Sequence, residues 1–120
     1  FLERVYPVMA ESAHFFIDTL IEEPTNGWLV TSPSMSPENA HHEGVSIVAG
    51  PAMDNQILRD LFSAVVQAAG ILDADAEFAA EVEAVLHRLP PNQIGAGGQL
   101  QECMCWSGID RAAMAIWPTA

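Results

Sequence analysis

Residues 55–69 read NQILRDLFSAVVQAA, and the fold class turns on this run. Ile57, Leu58, Leu61, Phe62, Val65, Ala68 and Ala69 recur at spacings of three and four, the period that gathers side chains on one face of an α-helix. Asp54 stands where an N-cap belongs, Met53 and Leu58 take the two positions of a hydrophobic staple, and Gly70 is the expected C-cap. An apolar face this wide needs partners, and the neighbouring sequence supplies two. Upstream, residues 3–22 predict a helix whose stripe is Val5, Met9, Ala13, Phe16 and Leu20. Pro7 falls near its first turn, where a missing N–H costs little, and Glu22, Glu23 and Pro24 end it before a Thr25-Asn26-Gly27 turn. Downstream, residues 74–89 predict a third helix. Asp73 caps it, Asp75 and Glu77 complement its N-terminal dipole, His87 and Arg88 sit at its far end, and Pro90-Pro91 stops it.

Between these helices lie long connections, which in a compact domain carry function or belong to a larger architecture. Trp28 to Val30 and Val45 to Val48 read as short extended runs. The segment from Thr31 to Asn39, TSPSMSPEN, interleaves serines with Pro33 and Pro37. Two prolines four residues apart are poor material for a continuous helix or strand, so this reads as an ordered loop. After the third helix, residues 92–102 (NQIGAGGQLQE) form a glycine-rich turn leading into a polar segment.

Composition narrows the function. Of 120 residues, 16 are Asp or Glu and four are Lys or Arg, all of them Arg, for a net charge of −12. Four scattered arginines cannot neutralise a phosphate backbone, nor bind an anionic membrane surface. Half of the residues are apolar, so the chain is not an acidic disordered tail. The longest uncharged stretch, Leu61 to Leu72, is too short to cross a bilayer and carries Gln67 and Gly70. The start, Phe1-Leu2-Glu3-Arg4, has neither a Met nor a signal-peptide pattern. It predicts a chain cut from something longer, and leaves the compartment open.

Glu38 is the carboxylate with the best claim to chemistry. The other acids mostly fall on helix faces, near helix ends or in plain turns, whereas Glu38 sits on a proline-stiffened loop beside Asn39. A catalytic acid needs a fixed position and a tuned pKa, and a rigid loop supplies the first. The competing reading makes Glu38 the cap of a short turn after Pro37. Gln99, Gln101 and Glu102 follow a glycine run, where amide and carboxylate groups suit hydrogen bonds to sugar hydroxyls; a plain solvated loop is the alternative. Gly95-Ala96-Gly97-Gly98 lacks the Lys-Ser/Thr ending of a phosphate loop. Adjacent His41 and His42 diverge in helix or strand and do not favour a shared metal. Cys103 and Cys105 read as two small apolar residues. No cofactor or metal is expected.

Taken together, these segments resemble glycoside hydrolase family 95, the α-L-fucosidases. Residues 31–39 resemble the family's S-P-S-x-S-P-E-N signature. The helix before it, with Tyr6-Pro7-Val8 and Phe15-Phe16, resembles the family's Y-P-V…F-F helix. Met53-Asp54-Asn55-Gln56-Ile57 resembles its M-D-x-x-I helix start. Leu89-Pro90-Pro91-Asn92-Gln93-Ile94-Gly95 followed by Gly98-Gln99-Leu100-Gln101-Glu102 resembles L-x-P-x-x-I-G…G-Q-L-Q-E-W. Four motifs in the same order are a specific signal.

The resemblance implies an all-α fold: a slice of an (α/α)6 barrel, about three helices with functional loops. It implies an inverting hydrolase of α-L-fucosides, acting on a fucosylated carbohydrate. One carboxyl protonates the leaving oxygen while a separately held water attacks the opposite face. The family's acid matches Glu38, and Asn39, Gln99 and Glu102 match positions that line or support the sugar site. Related sites accept α-L-galactosides, which differ at C6.

Departures set the boundaries. The family's Asn motif lies upstream of this chain, and its Asp base and H-R-H-x-S-H segment lie downstream. Cys103 stands where the family has Trp, and residues 103–120 leave the pattern, as a frameshift or truncation would make them do. The expectation is a partial catalytic domain over residues 1–102, a divergent tail over 103–120, and no activity from the chain alone. The reading from another class is a small helical interaction module that presents the Val5, Met9, Phe16 and Leu20 stripe to a partner protein.

Overall fold

In the computed structural model of the chain, residues 1–36, 46–94, 97–98 and 100–102 are described, and the statements below concern them. Three helices dominate: α1 (Leu2–Thr19), α2 (Ala52–Leu72) and α3 (Ala76–His87). Between α1 and α2 lie four two-residue strands, β1 (Ile21–Glu22), β2 (Leu29–Val30), β3 (Ser34–Met35) and β4 (Ile47–Val48). They form two antiparallel pairs, β1 with β2 and β3 with β4.

The helices form because their apolar residues repeat at helical spacing, and α2 is the central member, packed against both α1 and α3. Leu58, Phe62, Val65, Ala68 and Ala69 of α2 are buried, as the periodicity requires, with Tyr6 and Ala13 of α1, Val82 of α3 and Leu89 just beyond it. Met9, Phe16 and Leu20 pack onto this cluster from α1, and Leu61 from α2. The α1 stripe is therefore largely spent inside the molecule, which removes the surface that the interaction-module reading required. The rings of His14 and Phe78 stack at 3.7 Å, closing α1 onto α3. Ile57 departs from the prediction and is 53 % exposed.

The helix ends differ from their sequence signals, each for a physical reason. Helix α1 stops at Thr19 rather than residue 22, because Ile21 and Glu22 are taken up in pairing with Val30 and Leu29. Pro7 lies a full turn inside α1, where it removes the bond its N–H would have made to the Glu3 carbonyl. Helix α2 starts three residues early, with Pro51 as its N-cap. Asp54 is not the cap, since its carboxylate is engaged by hydroxyls of the preceding loop. Met53 is exposed, so no staple forms with buried Leu58. Helix α2 runs through Gly70 to Leu72, which packs on the core, and ends at Asp73 in the left-handed region (φ 51°). Asp75, also left-handed, caps α3 in place of Asp73. Aspartate tolerates this conformation better than most residues.

Part of the serine-proline loop is strand after all: Ser34 pairs with Val48 and Met35 with Ile47. Pro33 precedes the ladder and so removes no bond from it. No helix among the described residues is long and apolar enough to cross a membrane.

Candidate functional site

Two of the motif segments meet at the N-terminus of α2. From the serine-proline loop, the Thr31 hydroxyl donates to Asp54 Oδ2 at 2.7 Å and the Ser34 hydroxyl to the same oxygen at 2.6 Å. Asp54 lies in the first turn of α2, where the helix's free N–H groups favour a negative charge. A carboxylate shared by two hydroxyls is a strong tie, and it fixes residues 31–34 to the helix start.

From the other side, Ala52 N–H donates to the Glu102 carbonyl at 2.6 Å. Gln101 N–H donates to the Gln93 carbonyl at 2.8 Å, beside a single antiparallel bridge between Ile94 and Leu100. The Arg59 guanidinium, one turn along α2 from Asn55, donates to the Pro90 carbonyl at 2.8 Å. Residues 89–94 and 100–102 are thereby held beside α2, and Glu102 lands on the first residue of the helix.

Gly50 makes the close approach possible. Its N–H donates to the Thr31 carbonyl at 2.9 Å, and its φ of +58° lies where glycine is favoured. A Cβ there would stand 2.9 Å from Val30 Cγ1, a fully buried side chain. Next to it, the Asn55 amide Nδ2 donates to the Gly50 carbonyl at 3.0 Å. Asn55 is only 6 % exposed, and its Oδ1 has no hydrogen-bond partner. The Ser36 hydroxyl is likewise buried and unpartnered. A small cavity beside the start of α2 is lined by Gly50, Ala52, Asn55, Asn92, Gln93 and Gln101 among others.

Another carboxylate, this one buried, pins the first hairpin. Glu23 is 1 % exposed and accepts from the backbone N–H groups of Thr25 (2.8 Å), Asn26 and Trp28 (3.4 Å). Burial works to raise its pKa, but these N–H bonds, with the Asn26 side chain, outweigh burial and hold it below the ordinary carboxylate value. In the helical layer, burial raises the Tyr6 phenol above its ordinary pKa, with nearby Asp75 adding to the shift.

Of the residues singled out in the sequence, Glu102 lies at the α2 junction, half-buried, its carbonyl bound to Ala52. Glu38, Asn39 and Gln99 fall outside the described residues, as do His41, His42, Cys103 and Cys105. The part that sequence reasoning missed is the Asp54–Asn55 pair. Its signal was present in the M-D-x-x-I match, but capping was the simpler use for Asp54.

The glycosyl hydrolase family 95 catalytic domain matches residues 1–107, and the chain belongs to that family. A search of curated proteins found no match.

Proposed function

We propose that this chain is a segment of an inverting α-L-fucosidase, part of an (α/α)6 barrel, with Glu38 as the general acid. Asn39, Gln99 and Glu102 contact or support the sugar. The observation that carries the reading is the family match over residues 1–107, a span that includes all four residues. The convergence of the serine-proline loop and the 89–102 segment on α2 supports it, because an acid and its sugar contacts must share one end of the fold. In this reading residues 1–102 are the partial catalytic domain and 103–120 a divergent tail. The groups that hold the attacking water are expected outside these 120 residues, so this segment on its own is inactive.

The test places Glu38→Gln in an intact homologous family enzyme at the matching position. Hydrolysis of fucosides with poor leaving groups should fall by about 100-fold or more, the range of general-acid contributions. Full activity in that variant refutes the assignment. Fucosidase activity from the isolated chain overturns the fragment reading.

A further inference from the structure

We infer that the groove between the first hairpin, α2 and the end of α3 binds an acidic sugar residue, whose carboxylate is held by the Arg59 guanidinium. The groove has a volume of about 610 Å³, within the range of small-molecule sites, roughly 300–1,000 Å³. Its walls include Trp28 from the hairpin, Arg59 and Ser63 from α2, His87 at the end of α3, and Leu89 and Asn92 from the segment that follows. It is distinct from the small cavity at the start of α2, with which it shares only Pro91 and Asn92.

Arg59 decides the ligand. Its Nη2 donates to the Pro90 carbonyl at 2.8 Å and approaches the Leu89 carbonyl at 3.5 Å. Leu89 and Pro91, on either side of Pro90, both line the groove, so these bonds bring the guanidinium to the groove wall. Arg59 is half-buried rather than enclosed. Among the described residues its Nε and Nη1 have no hydrogen-bond partner, and no carboxylate pairs with it. Acids outnumber bases by 16 to 4 in this chain, yet none of the residues lining the groove is acidic. A guanidinium with donors to spare favours an anionic acceptor, because a charge-assisted hydrogen bond is roughly twice as strong as a neutral one. A cation is repelled, and a neutral ligand leaves the charge without a partner. The Ser63 hydroxyl, the Asn92 carboxamide and the His87 imidazole add the hydrogen-bonding groups that sugar hydroxyls use. Trp28 and Leu89 add apolar surface for the C–H face of a pyranose ring. The net charge of −12 opposes an anion at a distance, but that field is screened beyond about 8 Å at physiological ionic strength, whereas contact with Arg59 is direct. The choice of a sugar over another carboxylic acid rests on the proposed function; the requirement for an anion does not.

The test uses the ¹⁵N-labelled 120-residue chain and follows the Trp28 indole and Arg59 Nε resonances by NMR during titration with methyl β-D-glucuronide. The expected result is a saturable shift of both. Methyl β-D-glucoside, the same ring without the carboxylate, should bind about tenfold more weakly, and Arg59→Gln should reduce the affinity for the glucuronide by a similar factor. Arg59→Gln also loses the tie to Pro90. If it does not fold, His87→Gln, at an exposed position on the groove, carries the test and should weaken binding about threefold. Equal affinity for glucoside and glucuronide overturns the inference, as does the absence of any saturable shift. An equal response to acetate, marking an adventitious ion only, overturns it as well. Unchanged affinity in Arg59→Gln, or in His87→Gln where that variant stands in, has the same force. None of these outcomes bears on Glu38, whose test is hydrolysis in an intact enzyme, so the two readings fail separately.

Discussion

The helical layer and the loop end are built from different materials. In the layer, order comes from apolar burial: Phe62, Val65 and Val82 are fully enclosed, and the contacts that hold them have no direction. At the loop end it comes from polar ties. Glu23 gathers three N–H groups, Asp54 two hydroxyls, and Asn55 a carbonyl. Apolar packing is tolerant of exchange as long as volume is kept. Polar ties are directional, so they set where a loop runs to within a fraction of an ångström. A molecule that must place a few reacting groups benefits from the second kind of order at the site and the first kind beneath it.

The contrast breaks most visibly in the core. Phe62→Ala removes the largest fully buried side chain of α2 and should cost about 3–5 kcal/mol, read from urea or thermal melts. A cost near 1 kcal/mol would mean that the helices do not close on one another as a packed layer. Next comes Gly50→Ala at the junction of the two regions. The new Cβ meets Val30, and φ stays positive, so conformation and contact together should cost about 2–3 kcal/mol. An unchanged melting temperature would show that the α2 start is not tightly built.

The two regions were also unequally legible in the sequence. The core of α2 could be read residue by residue, because seven apolar residues spaced by threes and fours fit one face of a helix and little else. Only Ile57 was misassigned, and periodicity cannot tell which edge of a stripe stays wet. The helix ends could not be read, since they are set by partners distant in sequence. Leu20 is extended because Ile21 pairs with Val30, and Asp54 is not a cap because Thr31 and Ser34 claim its carboxylate. The same limit governs the site. Glu102 was picked out for its side chain, and its carbonyl turned out to be what docks the segment on α2. Asn55 was read only as part of the M-D-x-x-I match, because burial of one amide oxygen leaves no trace in composition or spacing.

A pair of adjacent glutamates sharpens the comparison within a single hairpin. Glu23 is buried and takes backbone N–H groups, while Glu22 is exposed and pairs with the Arg88 guanidinium. Glu23 holds its proton less readily when folded than when unfolded. Its stabilisation is therefore complete above the ordinary value of 4.5 and is lost as the pH falls below it. Glu23→Gln should lower stability at neutral pH and flatten the acid limb of the unfolding curve, measured by melts from pH 7 down to pH 3. An acid limb identical to that of the unmodified chain would show that the N–H cradle does not favour the charged form.

Glu22→Gln should do far less. Both side chains of its ion pair are largely in water, at 47 % for Arg88 and 62 % for Glu22, and exposed pairs of this kind contribute at most about 1 kcal/mol. Arg88 also donates to the Gly27 carbonyl and keeps that bond in the variant. The small effect should disappear in about 1 M salt, where screening acts within about 3 Å, whereas the Glu23→Gln effect should persist because the Glu23 carboxylate is itself buried and bonded to backbone N–H groups. If the two variants respond to salt alike, the hairpin is held by surface charge, and the distinction between directional buried ties and solvated pairs fails where the two kinds of carboxylate stand side by side.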